Sequence, residues 1–208
     1  MTSFLLLVGA FVSSVVVANV TASKVVELWG LTFAAGALAY CITFPITDVV
    51  TEVWGKTTAR KVVWAGLMGN IVMIVLIPLA VISPPAPFYE HQDAYARILG
   101  FVPRTVLASI VAYLIAQLHD VWAFHFWSRI TGGRHLWLRN NLSTMTSQFI
   151  DSAIFVLVAF AGVFSWEVLV PIFIGQYVVK LVIAALDTPV VYVLVHLCRG
   201  RGHEEWSH

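Results

Sequence analysis

The sequence predicts an all-α, polytopic membrane protein built as a six-transmembrane-helix bundle. Three observations lead there. The 208 residues are 60% hydrophobic and only 11% charged, against about 45 to 50% apolar and about 25% charged in soluble domains. Six apolar stretches have the roughly 20 residues that a helix needs to cross hydrocarbon. Set inside those stretches are Asp48, Glu52, Gln117, Asp120, Gln148, Asp151, Gln176, Lys180 and Asp187, polar groups that a membrane protein keeps when they face a ligand, an ion or another helix.

The expected spans are 4–22, 31–51, 62–82, 103–126, 145–164 and 168–197. The first begins MTSFLLLVGAF, without a basic n-region or a small-residue cleavage site, so it reads as a retained span and not as a signal peptide. Between the third and fourth spans, SPPAPFYEHQDAYARILG reads as a short amphipathic interfacial segment or an external lid. The last span is longer than a crossing needs, which predicts tilt, an interfacial start or a break near Asp187-Thr188-Pro189. Ser143 or Thr144 suits the cap of the fifth helix. Residues 1–198 then form one transmembrane domain and 199–208 a polar cytoplasmic tail.

Basic residues set the orientation. Lys56, Arg60, Lys61, Arg129, Arg134, Arg139, Arg199 and Arg201 fall on one side, against Lys24, Arg97 and Arg104 on the other, which places both termini in the cytoplasm. A net charge of +1 and the lack of a Lys/Arg run give no case for nucleic-acid binding. Cys41 and Cys198 have no ligand partners at metal-motif spacing, so no metal site, cofactor or disulfide framework is implied. No phosphate-binding loop, zinc-protease motif, dinucleotide fingerprint or nucleophile elbow is present, and the chain carries no ATPase motif of its own.

Four polar constellations carry the functional reading. Asp48 and Glu52 are four apart on one helical face, one turn after Pro45. They handle a ligand or a proton, or else Glu52 ends the span near the headgroups while Asp48 pairs with Lys180 or an arginine. Gln117 and Asp120, followed by Trp122, Phe124 and Phe126, present amide and carboxylate groups that suit a nucleobase-like ligand, though they suit helix-to-helix hydrogen bonding equally. Gln148 and Asp151 repeat that spacing beyond Arg139, Asn140 and Asn141, deep enough to face a cavity. In the last span Gln176, Lys180 and Asp187 share a region in which the ammonium needs a counter-ion from Asp48, Glu52, Asp120 or Asp151. The bland alternative is a purely structural ion pair. Gly66, Gly69 and Asn70 form a small-residue patch that permits close helix packing.

The assembled residues resemble the queuosine precursor transporters. The resemblance is carried by Asn19 through Lys24, FPITDVVTEVWG at 44–55, Arg60 through Gly66, Arg104 through Asp120, HLWLRNNLSTMTSQFIDS at 135–152, Ala159 to Gly162, and Tyr177, Lys180, Thr188, Pro189 and Tyr192. It implies a six-helix importer of the bacterial inner membrane, similar to the substrate-capture subunits of energy-coupling vitamin transporters. The implied cargo is 7-cyano-7-deazaguanine, 7-aminomethyl-7-deazaguanine or both, for queuosine modification of transfer RNA. Carried over by motif, the substrate-binding set is Asp48, Glu52, Gln117, Asp120, Asn140, Gln148, Asp151 and Lys180. The implied partners are the deazaguanine, the bilayer and a second copy of the chain as a homodimer. The competing readings are a transporter of another purine-like or vitamin-like solute, a membrane enzyme whose acidic pairs bind a divalent metal, and a non-transporting scaffold.

Overall fold

The computed structural model describes the backbone of residues 2–130 and 136–202; within them, side chains are described except at 2, 120–121, 124–125, 127–130, 136–144, 187–190, 192 and 197–202. The chain forms α1 (Thr2–Thr21), a hairpin of β1 (Val25–Leu28) and β2 (Leu31–Ala34), then α2 (Gly36–Tyr40), α3 (Thr43–Trp54), α4 (Lys56–Ile82), α5 (Gln92–Leu99), α6 (Val102–Ile130), α7 (Leu136–Phe160) and α8 (Trp166–Gly202). Five stretches among the described residues are long and apolar enough to cross a membrane: Ser3–Thr21, Gly36–Trp54, Lys56–Ile82, Gln92–His119 and Trp166–Leu186. The expected span 145–164 falls mostly in α7, which is 25 residues long and has its described apolar part at Met145–Phe160. The protein is thus a multi-pass helical membrane protein.

Contacts divide the chain into two compact units, the first comprising residues 1–24, 34–103 and 182–208, the second 25–33 and 104–181. In the first unit α1 packs on α2, α3 and α4. Its core joins Phe11, Val15, Ile46, Val50, Ala59 and Val62. Helix backbones approach closely where side chains are missing: a Cβ on Gly36 would lie 2.1 Å from the Ala18 carbonyl oxygen, and one on Gly66 would lie 2.7 Å from the Phe11 ring. The Gly66 and Gly69 patch is therefore spent on α1, against Phe11, Val12 and Val16. Asn19 ties the same helices by donating from Nδ2 to Asn70 Oδ1 at 3.1 Å, both side chains being buried. Gly55, at φ +85°, makes the sharp passage from α3 to α4 in a conformation that a side chain would strain.

The segment after α4 resolves into the short helix α5, held by Gln92 Nε2 donating to the Val81 carbonyl at 2.9 Å. Two expectations about helix ends need correction. Helix α7 begins at Leu136, so Ser143 and Thr144 lie two turns inside it and do not cap it. Helix α8 runs without a break through Asp187, Thr188 and Pro189 to Gly202, because proline removes one backbone donor without preventing the flanking turns from continuing. Residues 203–208 of the expected tail lie outside the described residues.

In the second unit the hairpin joins α6, α7 and the first part of α8. Arg104, near the start of α6, donates from Nε to the Val158 carbonyl at 2.9 Å and from Nη2 to the Ala161 carbonyl. These carbonyls belong to the last turn of α7 and the residue after it, where helical partners run out. Gly162, at φ +77°, then turns the chain toward α8. The loss of these charge-assisted bonds in Arg104→Ala should remove about 1.5 to 3 kcal/mol of stability. Thermal unfolding in detergent should show a lower midpoint for Arg104→Ala, with partial recovery in Arg104→Lys.

Candidate functional site

The polar residues of α7 and α8 converge inside the second unit. On α7, Gln148, Asp151 and Ser152 are three and four residues apart and share a face. On α8, Gln176 and Lys180 share a face in the same way. Lys180 Nζ donates to Asp151 Oδ2, closing an ion pair whose side chains are 8% and 22% exposed. Among the described acids of the second unit, Asp151 is the one in contact with Lys180. Burying this ammonium is tolerable because its counter-ion is in direct contact; alone it would be strongly disfavoured.

The same two helices carry three buried polar atoms with no hydrogen-bond partner among the described residues: Gln148 Oε1, Ser152 Oγ and Gln176 Oε1. Ser152 is completely buried and Gln176 is 4% exposed. Two of the three are amide oxygens, which can only accept, and the third is a hydroxyl that can accept or donate. A buried acceptor left unpaired costs about 1 to 3 kcal/mol. The two helices thus carry buried polar capacity that the described residues do not fill.

Neighbouring contacts fix the walls. Phe149 meets Phe173 edge-on at 5.0 Å and Tyr177 at 5.5 Å, and the Tyr177 hydroxyl donates to the Met145 carbonyl at 3.4 Å, so α7 and α8 are held on the flank of the ion pair. Between α6 and α7, His119 Nδ1 and Ser147 Oγ are hydrogen-bonded at 3.2 Å. His119 also packs on Trp122, which stacks on Phe126 at 5.2 Å. A separate recess lined by Ala153, Val156, Leu157, Trp166, Leu169, Val170 and Phe173 is wholly apolar and offers nothing to orient a polar ligand.

The expected site residues divide accordingly. Gln148, Asp151 and Lys180 come together. Gln117 is exposed on α6, and its near neighbour His119 is hydrogen-bonded to Ser147 of α7. The side chains of Asp120 and Asn140 lie outside the described residues. Asp48 and Glu52 lie in the first unit on the exposed face of α3, opposite the buried Ile46, Val49 and Val50. Within that unit the inward face of α3 is spent on apolar packing. Ser152, His119 and Ser147 were absent from the expected set, and Gln176 was noted only as a neighbour of Lys180. A serine or glutamine amid apolar residues carries no motif; the spacing signal that could have found Ser147 and Gln176 is their four-residue separation from Asp151 and Lys180, and that for Ser152 its four-residue separation from Gln148.

Comparison with known proteins adds a family. Residues 34–194 match the family model described as "Putative vitamin uptake transporter". The chain is 37% identical over 178 residues, 85% of its length, to a Bacillus subtilis protein named "Probable queuosine precursor transporter", and covers 78% of that protein. It is 29% identical over 141 residues, 65% of its length, to the "Queuosine precursor transporter" of Escherichia coli, and 26% identical over 125 residues, 60% of its length, to a "Probable queuosine precursor transporter" of Haemophilus influenzae. It spans 58% and 51% of those two relatives. No solved structure matches it.

Proposed function

The chain belongs to the queuosine precursor transporter family, and from that premise we propose that it imports deazaguanine precursors of queuosine across the bacterial inner membrane, binding them at the Asp151–Lys180 cluster. The observation that carries the site is the set of orphaned acceptors, Gln148 Oε1, Gln176 Oε1 and Ser152 Oγ, beside a carboxylate. A 7-deazaguanine presents N1–H and a 2-amino group as adjacent donors. The carboxylate of Asp151 takes that fork, and the two amide oxygens take the remaining donor hydrogens. Asp48 and Glu52 are proposed to act elsewhere along the path, on the aminomethyl cation or in proton movement.

Entry of the substrate gives the acceptors the partners they lack, so binding recovers free energy that the folded protein forgoes. Lys180 holds the Asp151 side chain in place until the ligand arrives, and exchange of this partner is the step we assign to transport. The positive-inside count puts both termini in the cytoplasm, and two termini on one side require an even number of crossings. Helix α7, with 25 residues, supplies the sixth.

The test is uptake of labelled 7-cyano-7-deazaguanine and 7-aminomethyl-7-deazaguanine by cells that neither make queuosine nor have an importer of their own. Expression of this chain should produce accumulation of at least one of them. Verified membrane insertion without accumulation would overturn the reading in favour of a different purine-like solute.

A further inference from the structure

The hairpin is closed by Trp29 and Gly30, at φ +52° and +76°, the pairing of a two-residue type I′ turn. Its tip is open, with Trp29 94% exposed, whereas Phe33 and Ala34 on β2 are each 1% exposed. Leu28 faces Leu31 across the turn, and the Ala35 N–H reaches the Lys24 carbonyl at 2.8 Å. Antiparallel alternation then puts Thr32 at a position whose N–H and C=O point away from β1, onto the free edge.

That edge lies directly on α8. A Cβ on Gly175 would stand 2.0 Å from the Thr32 carbonyl oxygen and 3.1 Å from its nitrogen. The contact is backbone on backbone, and any side chain at 175 must move the strand itself from 2.0 Å to the 3.4 Å at which ordinary contact begins. The next residue of α8 is Gln176, whose buried Oε1 lacks a partner among the described residues, and Lys180 follows one turn later. The strand is thus seated on α8 one residue before a side chain whose buried oxygen has no partner among the described residues.

We propose that Gly175 is a positioning residue of the transport site: it seats the main chain of Thr32 on α8, so that the hairpin forms a wall of the polar cluster next to Gln176. The proposal rests on the transport reading above and adds to it a specific element and a specific residue. A side chain at 175 lifts the wall away from the cluster, loosening the substrate without touching the Asp151–Lys180 pair.

The experiment uses the full chain with Gly175→Ala, Gly175→Ser and Gly175→Val, in the uptake cells. The KM for 7-cyano-7-deazaguanine should rise with side-chain size, reaching about tenfold or more, while the maximal rate per inserted molecule stays within about twofold. Gly9→Ala should be silent, since nothing lies within 4 Å of a Cβ there. A readout independent of substrate is thiol labelling of Phe33→Cys, whose parent side chain is 1% exposed, with Cys41 and Cys198 replaced by serine. Labelling should be slow with Gly175 and about tenfold faster with Gly175→Val, or with Gly175→Ala should the valine variant not insert. Unchanged KM in well-inserted variants, or unchanged labelling, would overturn the proposal. Accelerated labelling in a protein whose parent takes up neither precursor would refute the transport reading while leaving the hairpin seated as described.

Discussion

Uptake by the Asp151→Asn variant should fall by about 100-fold or more, the change expected when a charge-assisted fork to the ligand is replaced by an amide that presents a donor where an acceptor is needed. The substitution keeps shape and removes charge, so it also leaves the ammonium of Lys180, 8% exposed, without its counter-ion. Breaking a buried pair from one side is destabilising by about 3 to 5 kcal/mol, and the thermal midpoint in detergent should drop accordingly. Lys180→Met removes the other partner and leaves a carboxylate with more access to water, 22% exposed, so its loss of stability should be smaller. The informative variant is the double Asp151→Asn/Lys180→Met. Neither charge remains, and stability should return to near the parental level, since uncharged side chains of similar volume replace buried ion pairs well. Uptake should stay lost. Recovery of uptake together with stability would show the pair to be a structural bridge and nothing more.

The reach of the sequence can be judged on particular residues. Length and apolarity locate α1, α4, α6 and α8, because hydrocarbon demands about 20 apolar residues wherever a helix crosses. They misplace the start of the second span. Residues 31–34 are apolar enough to extend a helix through 31–51, yet they form β2, and a short apolar run has no period that separates strand from helix. The usual hairpin signal is Asn-Gly or Asp-Gly; here Trp29-Gly30 takes the turn, with tryptophan in a left-handed conformation that costs a side-chain-bearing residue about 1 to 2 kcal/mol. The ion pair was half legible. Lys180 had to be balanced, and four acids were available; which one meets it depends on how α7 rotates against α8, a packing outcome governed by contacts such as Phe149 on Phe173. The same rotation decides what Gln117, Asp48 and Glu52 face, each exposed on its helix. Spacing puts residues on one face of a helix, but it does not say what that face meets.

Gln176→Met offers the sharpest separation of folding from transport, because the two quantities should move in opposite directions. Gln176 is 4% exposed and its Oε1 has no partner among the described residues, so its present environment gives little back for the water it lost. Methionine fills nearly the same volume without a polar atom, and replacing an unsatisfied polar group by an apolar one of similar shape is neutral or stabilising. The midpoint of thermal unfolding in detergent should hold or rise by a few degrees, as expected for about 1 kcal/mol in a chain of this size. If the amide oxygen is kept for the substrate, the KM for uptake should climb by about 10- to 100-fold, the equivalent of one buried hydrogen bond to a polar ligand. Gln148→Met should behave alike and Ser152→Ala more mildly, since a hydroxyl accepts less strongly than an amide oxygen. A stabilised Gln176→Met protein that still takes up precursor with the parental KM would mean that the orphaned oxygens play no part in binding, and the substrate contacts would then have to be sought outside α7 and α8.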